Sequence, residues 1–152
     1  MLIQDMVQED CEALLASATS WRLACSVENQ PYIVPIHLGF APGSLSGFAT
    51  MGQKVDWMRQ NPLVCVETEE VRSLTDWSSV IVQGRYEEFP DTEEYFKRRM
   101  QAQTLLEKTT PLWWQVGVEA GQARQRFDRD HAVFFCIHID KMTGRKAIPD
   151  PV

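Results

Sequence analysis

The sequence predicts a mainly β protein, an antiparallel β-barrel that is closed or nearly closed and carries flanking helices. Short runs rich in β-branched and aromatic residues recur along the 152-residue chain, and most are separated only by residues suited to tight turns. Regular β-α-β alternation is missing, so a doubly wound α/β sheet is the weaker alternative. Without a repeat, low-complexity segment or linker, residues 1–152 are expected to form a single domain of about six strands and three helices.

The first half of the chain alternates helical and extended patterns. Apolar residues at helical spacing predict a helix within residues 5–18. Residues 21–40 form two β-rich runs joined at Glu28, Asn29 and Gln30, which predicts a hairpin whose second run bends or lies at an edge because of Pro31 and Pro35. A short strand over 45–50 and a two-turn helix over 54–61, stopped by a proline, complete this half.

The second half begins with a strand over 63–70 and a loop over 71–76. Residues 77–89 give the longest strand signal, with Val80 and Val82 alternating against Ile81 and Gln83. A helix is predicted within 90–108, with Asp91 or Thr92 available as its N-cap. The last strand covers 131–140, and residues 141–152 are expected to form a turn and a tail.

Composition narrows the class of ligand and the setting. The chain is 44% hydrophobic and carries a net charge of −6, with a pI near 5.0. Nucleic-acid and membrane-surface binding need a clustered basic face, so we expect neither, and a small-molecule substrate is favoured. No apolar run approaches the roughly 20 residues of a membrane span, and the first residues lack the features of a signal peptide, which predicts a cytoplasmic protein.

Cysteine and histidine spacing does not indicate a metal centre. The cysteines are scattered without C-x-x-C spacing, which argues against a zinc ribbon or a redox dithiol and favours buried small hydrophobes. His131 and His138 have no spacing with acidic or cysteine partners that suggests a metal site. No metal is therefore predicted; the four cysteines are Cys11, Cys25, Cys65 and Cys136.

The stretch GFATMGQKVDWMRQNP, residues 47–62, places small residues, a hydroxyl and a lone cation where a strand meets a helix. Thr50, Gly52, Gln53 and Lys54 could hold an anion there, because the first N–H groups of a helix are unpaired and its dipole is positive at that end. In the ordinary alternative, Thr50 is the N-cap, Gly52 a turn residue and Lys54 a solvated charge. Spacing alone favours that alternative.

The order of several segments is more specific than any one of them. WRLACSVENQPYIVPIHLGF, GFATMGQKVDWMRQNPLVCVE, WSSVIVQGRYEEF and VFFCIHIDKMTGRKA follow one another between residues 21 and 147. This succession closely resembles the FMN-binding split-barrel family related to pyridoxamine 5′-phosphate oxidase, in the branch that includes nitroimidazole-resistance reductases. The resemblance implies a six-stranded split β-barrel and a homodimer that holds FMN in clefts between its subunits.

The resemblance also implies a set of cofactor-binding residues. The phosphate would lie at Thr50, Gln53 and Lys54, with Arg22 as a further cation. The isoalloxazine ring would lie beside one strand and would be approached across the dimer cleft by the start of another; these positions are Pro35, Ile36, His37, Trp77 and Ser79.

We therefore expect an FMN-dependent oxidoreductase that passes electrons from a reduced nicotinamide, NAD(P)H, to a small acceptor, with no catalytic residue assigned. The alternative is a non-enzymatic flavin or haem binding protein that acts as a carrier or sensor. Two departures from the family pattern bear on the reaction. Gln53 and Lys54 stand where the oxidases present an Arg-Lys pair, and their Arg- and His-rich C-terminal signature is absent, so vitamin B6 oxidation is not expected. Phe48 and Ala49 stand where some resistance proteins carry a His.

The roles of three further residues stay open on sequence grounds. Trp113 and Trp114 lie in a Pro/Gly-flanked segment and either cover a pocket or pack onto the barrel. Arg145 either reaches the cofactor or caps the fold.

Overall fold

The computed structural model describes residues 1–109 and 132–150. Within these ranges the chain forms eight strands, β1 to β8, and three helices, α1 to α3. The strands are β1 Leu2–Asp5, β2 Trp21–Val27, β3 Gln30–Ile36, β4 Leu38–Ala41, β5 Ser44–Thr50, β6 Leu63–Ser73, β7 Asp76–Phe89 and β8 Ala132–Ile148. The helices are α1 Gln8–Ser17, α2 Gln53–Gln60 and α3 Phe96–Thr109, and a 3₁₀ turn over Glu93–Tyr95 precedes α3.

All eight strands belong to one antiparallel sheet in the order β3-β2-β6-β7-β8-β5-β4, with β1 added on β8. Strand β8 holds the sheet together because it pairs with β7 along most of its length, with β5 at its start and with β1 at its end. The mainly β, antiparallel split-barrel prediction is confirmed, with eight described strands in place of the six expected.

Three boundaries differ from the prediction. Residues 141–148 continue β8 where a turn and tail were expected, because they pair with β7 on one side and with the unpredicted β1 on the other. The predicted loop over 71–76 shrinks to Leu74 and Thr75 between β6 and β7. The predicted second run of the first hairpin is divided into β3 and β4 at His37, consistent with the expected bend.

The first hairpin turn is built as its sequence predicts. Glu28 and Asn29 both have positive φ, at 50° and 64°, which is the conformation of a two-residue turn that matches the twist of the paired strands. The turn fixes the register of β2 on β3, in which Arg22 lies opposite Pro35.

A β-bulge in β8 shifts the register of β8 on β7, the two longest strands, so that the same face of both strands continues to point into the barrel. Gln83 pairs with Lys141 and Gly84 pairs with Ile139, so Asp140 is the extra residue. The inner face forms the core, together with residues of α1 and α2. Its buried members include Leu23, Leu45, Val64, Val66, Val80, Val82, Phe135, Ile137, Leu14, Leu15, Val55 and Met58.

Among the described residues, no helix is both long enough and apolar enough to cross a membrane.

Candidate functional site

The outer face of strands β3, β2, β6 and the first half of β7 exposes large apolar side chains. We call this surface the open face. Ile33, Leu63 and Val71 are each 61% exposed, and Ile81 is 44% exposed. On the same strands, the alternate residues Leu23, Val66 and Val80 are buried in the core. The open face comprises Arg22, Ala24, Ile33, Pro35, Leu63, Cys65, Glu67, Glu69, Val71, Trp77, Ser79, Ile81 and Gln83.

The pairing of the strands places four of the predicted site residues on the open face. Arg22 lies opposite Pro35, while Ser79 lies opposite Glu69 and two residues from Trp77. Because neighbouring strands present paired residues on the same side, these side chains share one surface. Residues separated by more than 40 positions in the chain are thus brought to one side of the sheet.

Ile36 and His37 are placed differently from Pro35. Ile36 pairs with Trp21 and packs against the core, so its side chain lies on the inner side of the sheet. His37 is half-buried at the break between β3 and β4, and burial lowers the pKa of its imidazole. The neutral form is therefore favoured at neutral pH, which makes His37 a poor reservoir of a transferable proton.

Arg22 is held by carboxylates on the open face. Its Nη1 donates to Glu67 at 3.2 Å and to Glu69 at 3.5 Å. All three side chains are partly exposed, so each ion pair alone stabilises the fold little. An incoming phosphate would nevertheless have to compete with two carboxylates for this guanidinium.

The junction between β5 and α2 offers unpaired donors. Gly52 is the N-cap of α2 and no side chain hydrogen-bonds to the cap, so the ordinary alternative in which Thr50 caps the helix is wrong. Thr50 ends β5 and is exposed, as is Gln53 at the first position of the helix. Neither side chain forms a hydrogen bond with another described residue, which leaves both available to a ligand.

Lys54 differs from the other lysines of the described ranges. Every described arginine forms an ion pair, whereas Lys54, Lys97, Lys108 and Lys141 form none with the residues that the structure describes. Of these four lysines, Lys54 alone is half-buried. A partly desolvated cation without a carboxylate partner, beside uncapped helix N–H groups, fits the phosphate of a nucleotide.

Contacts made by the C-terminal half of α2 fix the position of this helix on the barrel. Arg59 donates to both oxygens of Glu88 on β7, at 2.8 and 2.6 Å, and the Tyr86 hydroxyl donates to the same carboxylate at 3.0 Å. The hydrogen bonds from Arg59 lower the pKa of Glu88. Asn61 Nδ2 donates to the Ser26 carbonyl at 3.0 Å, and the Trp57 ring contacts the Tyr32 ring at a centroid distance of 5.4 Å. Trp57 thus packs against the core.

A second polar cluster was missed by the sequence analysis. Glu87 of β7, Cys136 and His138 of β8 and Arg98 of α3 meet on the outer face beneath α3. Cys136 lies directly opposite Glu87, and His138 is two residues further along the same strand. The Cys-x-His spacing was the available signal, but its carboxylate partner is 51 positions away.

The cysteines are all free thiols, and three of the four are buried as predicted. Cys11, Cys25 and Cys136 are buried, and burial raises the pKa of each thiol, to about 11 for Cys136. Cys65 departs from the prediction because it lies half-buried on the open face.

A cavity of about 340 Å³ lies between α1 and β8 and is lined by none of the predicted site residues. Its walls include Met6, Cys11, Phe40 and Met142, with Asp140 and Lys141 at the bulge.

Arg145 is exposed opposite Ser79 and forms a 3.5 Å ion pair with Asp5. Trp113, Trp114 and His131 lie outside the described residues.

The described strands form the split β-barrel of a class whose solved members include proteins described as flavin-binding. The family described as pyridoxamine 5′-phosphate oxidase matches residues 7–146 of the chain. The chain belongs to the pyridoxamine 5′-phosphate oxidase family, as its sequence resemblance predicted. A protein of Rhizobium meliloti (strain 1021), described as uncharacterized, is 40% identical over 147 residues, which cover 97% of each chain.

Solved structures agree with this assignment. An FAD-binding protein of Mesorhizobium loti is 32% identical with a TM-score of 0.80, and the alignment covers 97% of this chain and all of that one. An FAD binding protein of Mycobacterium smegmatis is 18% identical with a TM-score of 0.70, covering 96% and 100% of the two chains. A candidate 5-nitroimidazole antibiotic resistance protein of Bacteroides thetaiotaomicron is 16% identical with a TM-score of 0.68, covering 96% and 89%. The last two similarities concern the fold alone.

Proposed function

We propose that the protein binds a flavin nucleotide, FMN, between two copies of the chain and uses it as an oxidoreductase. The observation that carries this proposal is the junction of β5 and α2, where the half-buried Lys54, which forms no ion pair within residues 1–109 and 132–150, adjoins uncapped helix N–H groups. Its family membership and the 32% identical FAD-binding protein of Mesorhizobium loti support a flavin as the ligand.

Thr50, Gln53 and Lys54 would hold the flavin phosphate. A hydroxyl, an amide and an ammonium group can donate hydrogen bonds to the phosphate oxygens, and the helix N-terminus adds backbone donors and a favourable dipole. Charge-assisted hydrogen bonds of this kind contribute about 1.5–3 kcal/mol each. Arg22 would contribute less, because Glu67 and Glu69 already partly neutralise it.

The open face supports the homodimer in this proposal. Its exposed apolar side chains form a surface of the kind that marks interaction sites, and a second copy of the chain is the partner that would cover it. Pro35, Trp77 and Ser79 share that surface, so a flavin ring bound there would lie between the two subunits. Trp77 is half-buried in the single chain, and its position suits either a contact with the ring or an anchor of the interface.

The bound flavin would supply the redox chemistry, accepting electrons from a reduced nicotinamide and passing them to a small acceptor. The protein would bind its phosphate, orient its ring and limit access of water. His37 would contribute shape and hydrogen bonding rather than a proton, because burial lowers its pKa.

Equilibrium titration with FMN, FAD and riboflavin tests the binding step. We expect FMN to bind at one molecule per chain and to bind more tightly than riboflavin, which lacks the phosphate. Tighter binding of FAD than of FMN would be consistent with the phosphate site but would identify the cofactor as FAD. Equal affinity for riboflavin and FMN would contradict the role of Thr50, Gln53 and Lys54.

Turnover is tested separately on the flavin-loaded protein. Oxidation of NADPH or NADH in the presence of a small electron acceptor is the expected result. Flavin binding without any oxidation of nicotinamide would favour the carrier or sensor alternative, and a Soret band in the purified protein would favour haem.

A further inference from the structure

Three side chains with metal-binding atoms converge beneath α3. Glu87 Oε1 lies 2.9 Å from His138 Nε2, and Cys136 Sγ lies 3.4 Å from the same nitrogen. All three atoms lie within 4.8 Å of one another. Their backbone positions are set by the pairing of β7 with β8, so the grouping does not depend on a loop.

We propose that Glu87, Cys136 and His138 bind one zinc ion. A tetrahedral zinc site with ordinary bond lengths separates sulfur from nitrogen by about 3.6 Å and nitrogen from oxygen by about 3.4 Å. The cluster is therefore close to the required size. The sulfur and nitrogen atoms need to move apart by a few tenths of an ångström, and Glu87 by about 0.5 Å.

The chemistry of the three groups selects zinc over the oxygen-seeking cations. A thiolate, an imidazole and a carboxylate are the ligands that zinc takes in proteins, whereas Mg²⁺ and Ca²⁺ require oxygen ligands. On binding, the Cys136 sulfur exchanges its proton for the metal, and that proton passes to solvent. The thiolate and the carboxylate then balance the two charges of the ion.

The position of the cluster permits entry of the ion. Cys136 is buried at its base, while Glu87 and His138 are about one-third and two-fifths exposed. Three protein ligands on one side would leave a fourth position, facing solvent, for a water molecule.

Arg98 acts as an outer partner of this cluster. Its Nη2 donates to Glu87 Oε1 and its Nη1 to Oε2, the latter at 3.2 Å. Ligating carboxylates are commonly held in this way by a second group, which fixes their orientation. The competing interpretation is that Arg98, Glu87 and His138 only fasten α3 to the sheet. A metal titration distinguishes these two interpretations, since a purely structural network would not bind zinc.

The test is a titration of the chelator-treated, full-length protein with Co²⁺ and then Zn²⁺. We expect one ion per chain, a thiolate-to-cobalt charge-transfer band in the near ultraviolet, and loss of that band when zinc displaces cobalt. Cys136→Ser should abolish the band. His138→Gln and Glu87→Gln should each weaken zinc binding more than about tenfold, a loss seen even when an outer partner is removed.

Cys25→Ser is the matched control, because Cys25 is also a buried free thiol but lies on the inner face of β2. It should leave cobalt and zinc binding unchanged. If Cys136→Ser fails to fold, the half-exposed His138→Gln variant still decides the question. Absence of the charge-transfer band in the wild-type protein, or unchanged zinc affinity in His138→Gln, would overturn the proposal. Neither result depends on whether the protein binds flavin.

Discussion

The guanidinium of Arg22 donates to the carboxylate of Glu67 across the β2–β6 pair, at 3.2 Å, and reaches Glu69 at 3.5 Å. Lys54, the other cation proposed to meet the flavin phosphate, forms no ion pair with any residue in the described ranges. The two cations that the resemblance assigned to one phosphate therefore begin from different electrostatic states. Lys54 gains its full interaction when the phosphate binds, whereas Arg22 must give up or share existing partners.

Lys54→Ala should lower FMN affinity by about 1.5–3 kcal/mol, or roughly 10- to 150-fold, because it removes a charge-assisted contact. Arg22→Ala should have a smaller effect, and riboflavin affinity should hardly change in either variant. Isothermal titration calorimetry of both ligands measures the difference. Lys97→Ala is the control, since Lys97 is an exposed lysine on α3 that forms no ion pair with the described part of the chain. A loss in the control equal to that of Lys54→Ala would show that only the net charge matters.

Gly52→Ala should separate folding from binding. A Cβ at Gly52 would meet only the Thr50 carbonyl oxygen, at 4.0 Å, and its extended φ of 174° is open to alanine. We expect the free energy of unfolding to fall by less than about 1 kcal/mol, the order of losing a favourable N-cap residue. FMN affinity should fall more, because the methyl group would lie where the phosphate approaches the backbone. Unchanged FMN affinity would place the phosphate elsewhere.

Ile81→Glu should dissociate the proposed homodimer. The substitution puts a carboxylate at the centre of the open face, opposite Glu67, where an interface would bury it without a partner. A cost of about 3 kcal/mol or more corresponds to at least a hundredfold weaker dimer. Analytical ultracentrifugation measures the change. Phe96→Glu is the matched control, because Phe96 is a large exposed side chain on α3, away from the open face. If Phe96→Glu dissociated the dimer and Ile81→Glu did not, the interface would lie at α3 and not at the open face.

Glu88→Gln should make stability less dependent on pH. Hydrogen bonds from Arg59 lower the pKa of Glu88 in the folded protein below its unfolded value. The ionised Glu88 side chain therefore contributes its full stabilisation of the fold above its unfolded pKa, about 4.3. This stabilisation is lost as the pH falls through the lower pKa of the folded protein. Arg59 is partly exposed, so we expect a loss of only about 1 kcal/mol at pH 7.

Urea unfolding of the wild-type and Glu88→Gln proteins at pH 7 and near pH 3.5 measures this dependence. The difference between the two proteins should shrink at the lower pH. Glu94→Gln serves as the control, because Glu94 is an exposed carboxylate without an ion pair in the described ranges. A difference between wild type and Glu88→Gln that grows in acid would mean that the Arg59–Glu88 pair does not stabilise the fold.

Local signals in the sequence were sufficient for much of the fold. The alternation of Val80 and Val82 against Ile81 and Gln83 correctly separated the inner from the outer face of β7. The turn at Glu28 and Asn29 and the helix before Pro62 were also placed within a residue or two. Each of these features depends on neighbours close in the chain, where turn chemistry and periodicity act directly.

What the sequence missed depends on residues far apart in the chain. Strand β1 forms because Leu2–Asp5 pairs with the end of β8, 140 to 146 positions later. The partners of Arg22 are 45 and 47 positions away. Glu87 meets Cys136 and His138 only through the pairing of β7 with β8, so the Cys-x-His spacing alone did not reveal this cluster.

The most direct test of the central proposal is a visible absorption spectrum of the purified protein, followed by titration of FMN into any colourless protein, with riboflavin in parallel. Our account predicts the two visible bands of oxidised flavin, or saturable FMN binding at one molecule per chain that is tighter than riboflavin binding. A colourless protein that binds neither flavin would contradict it.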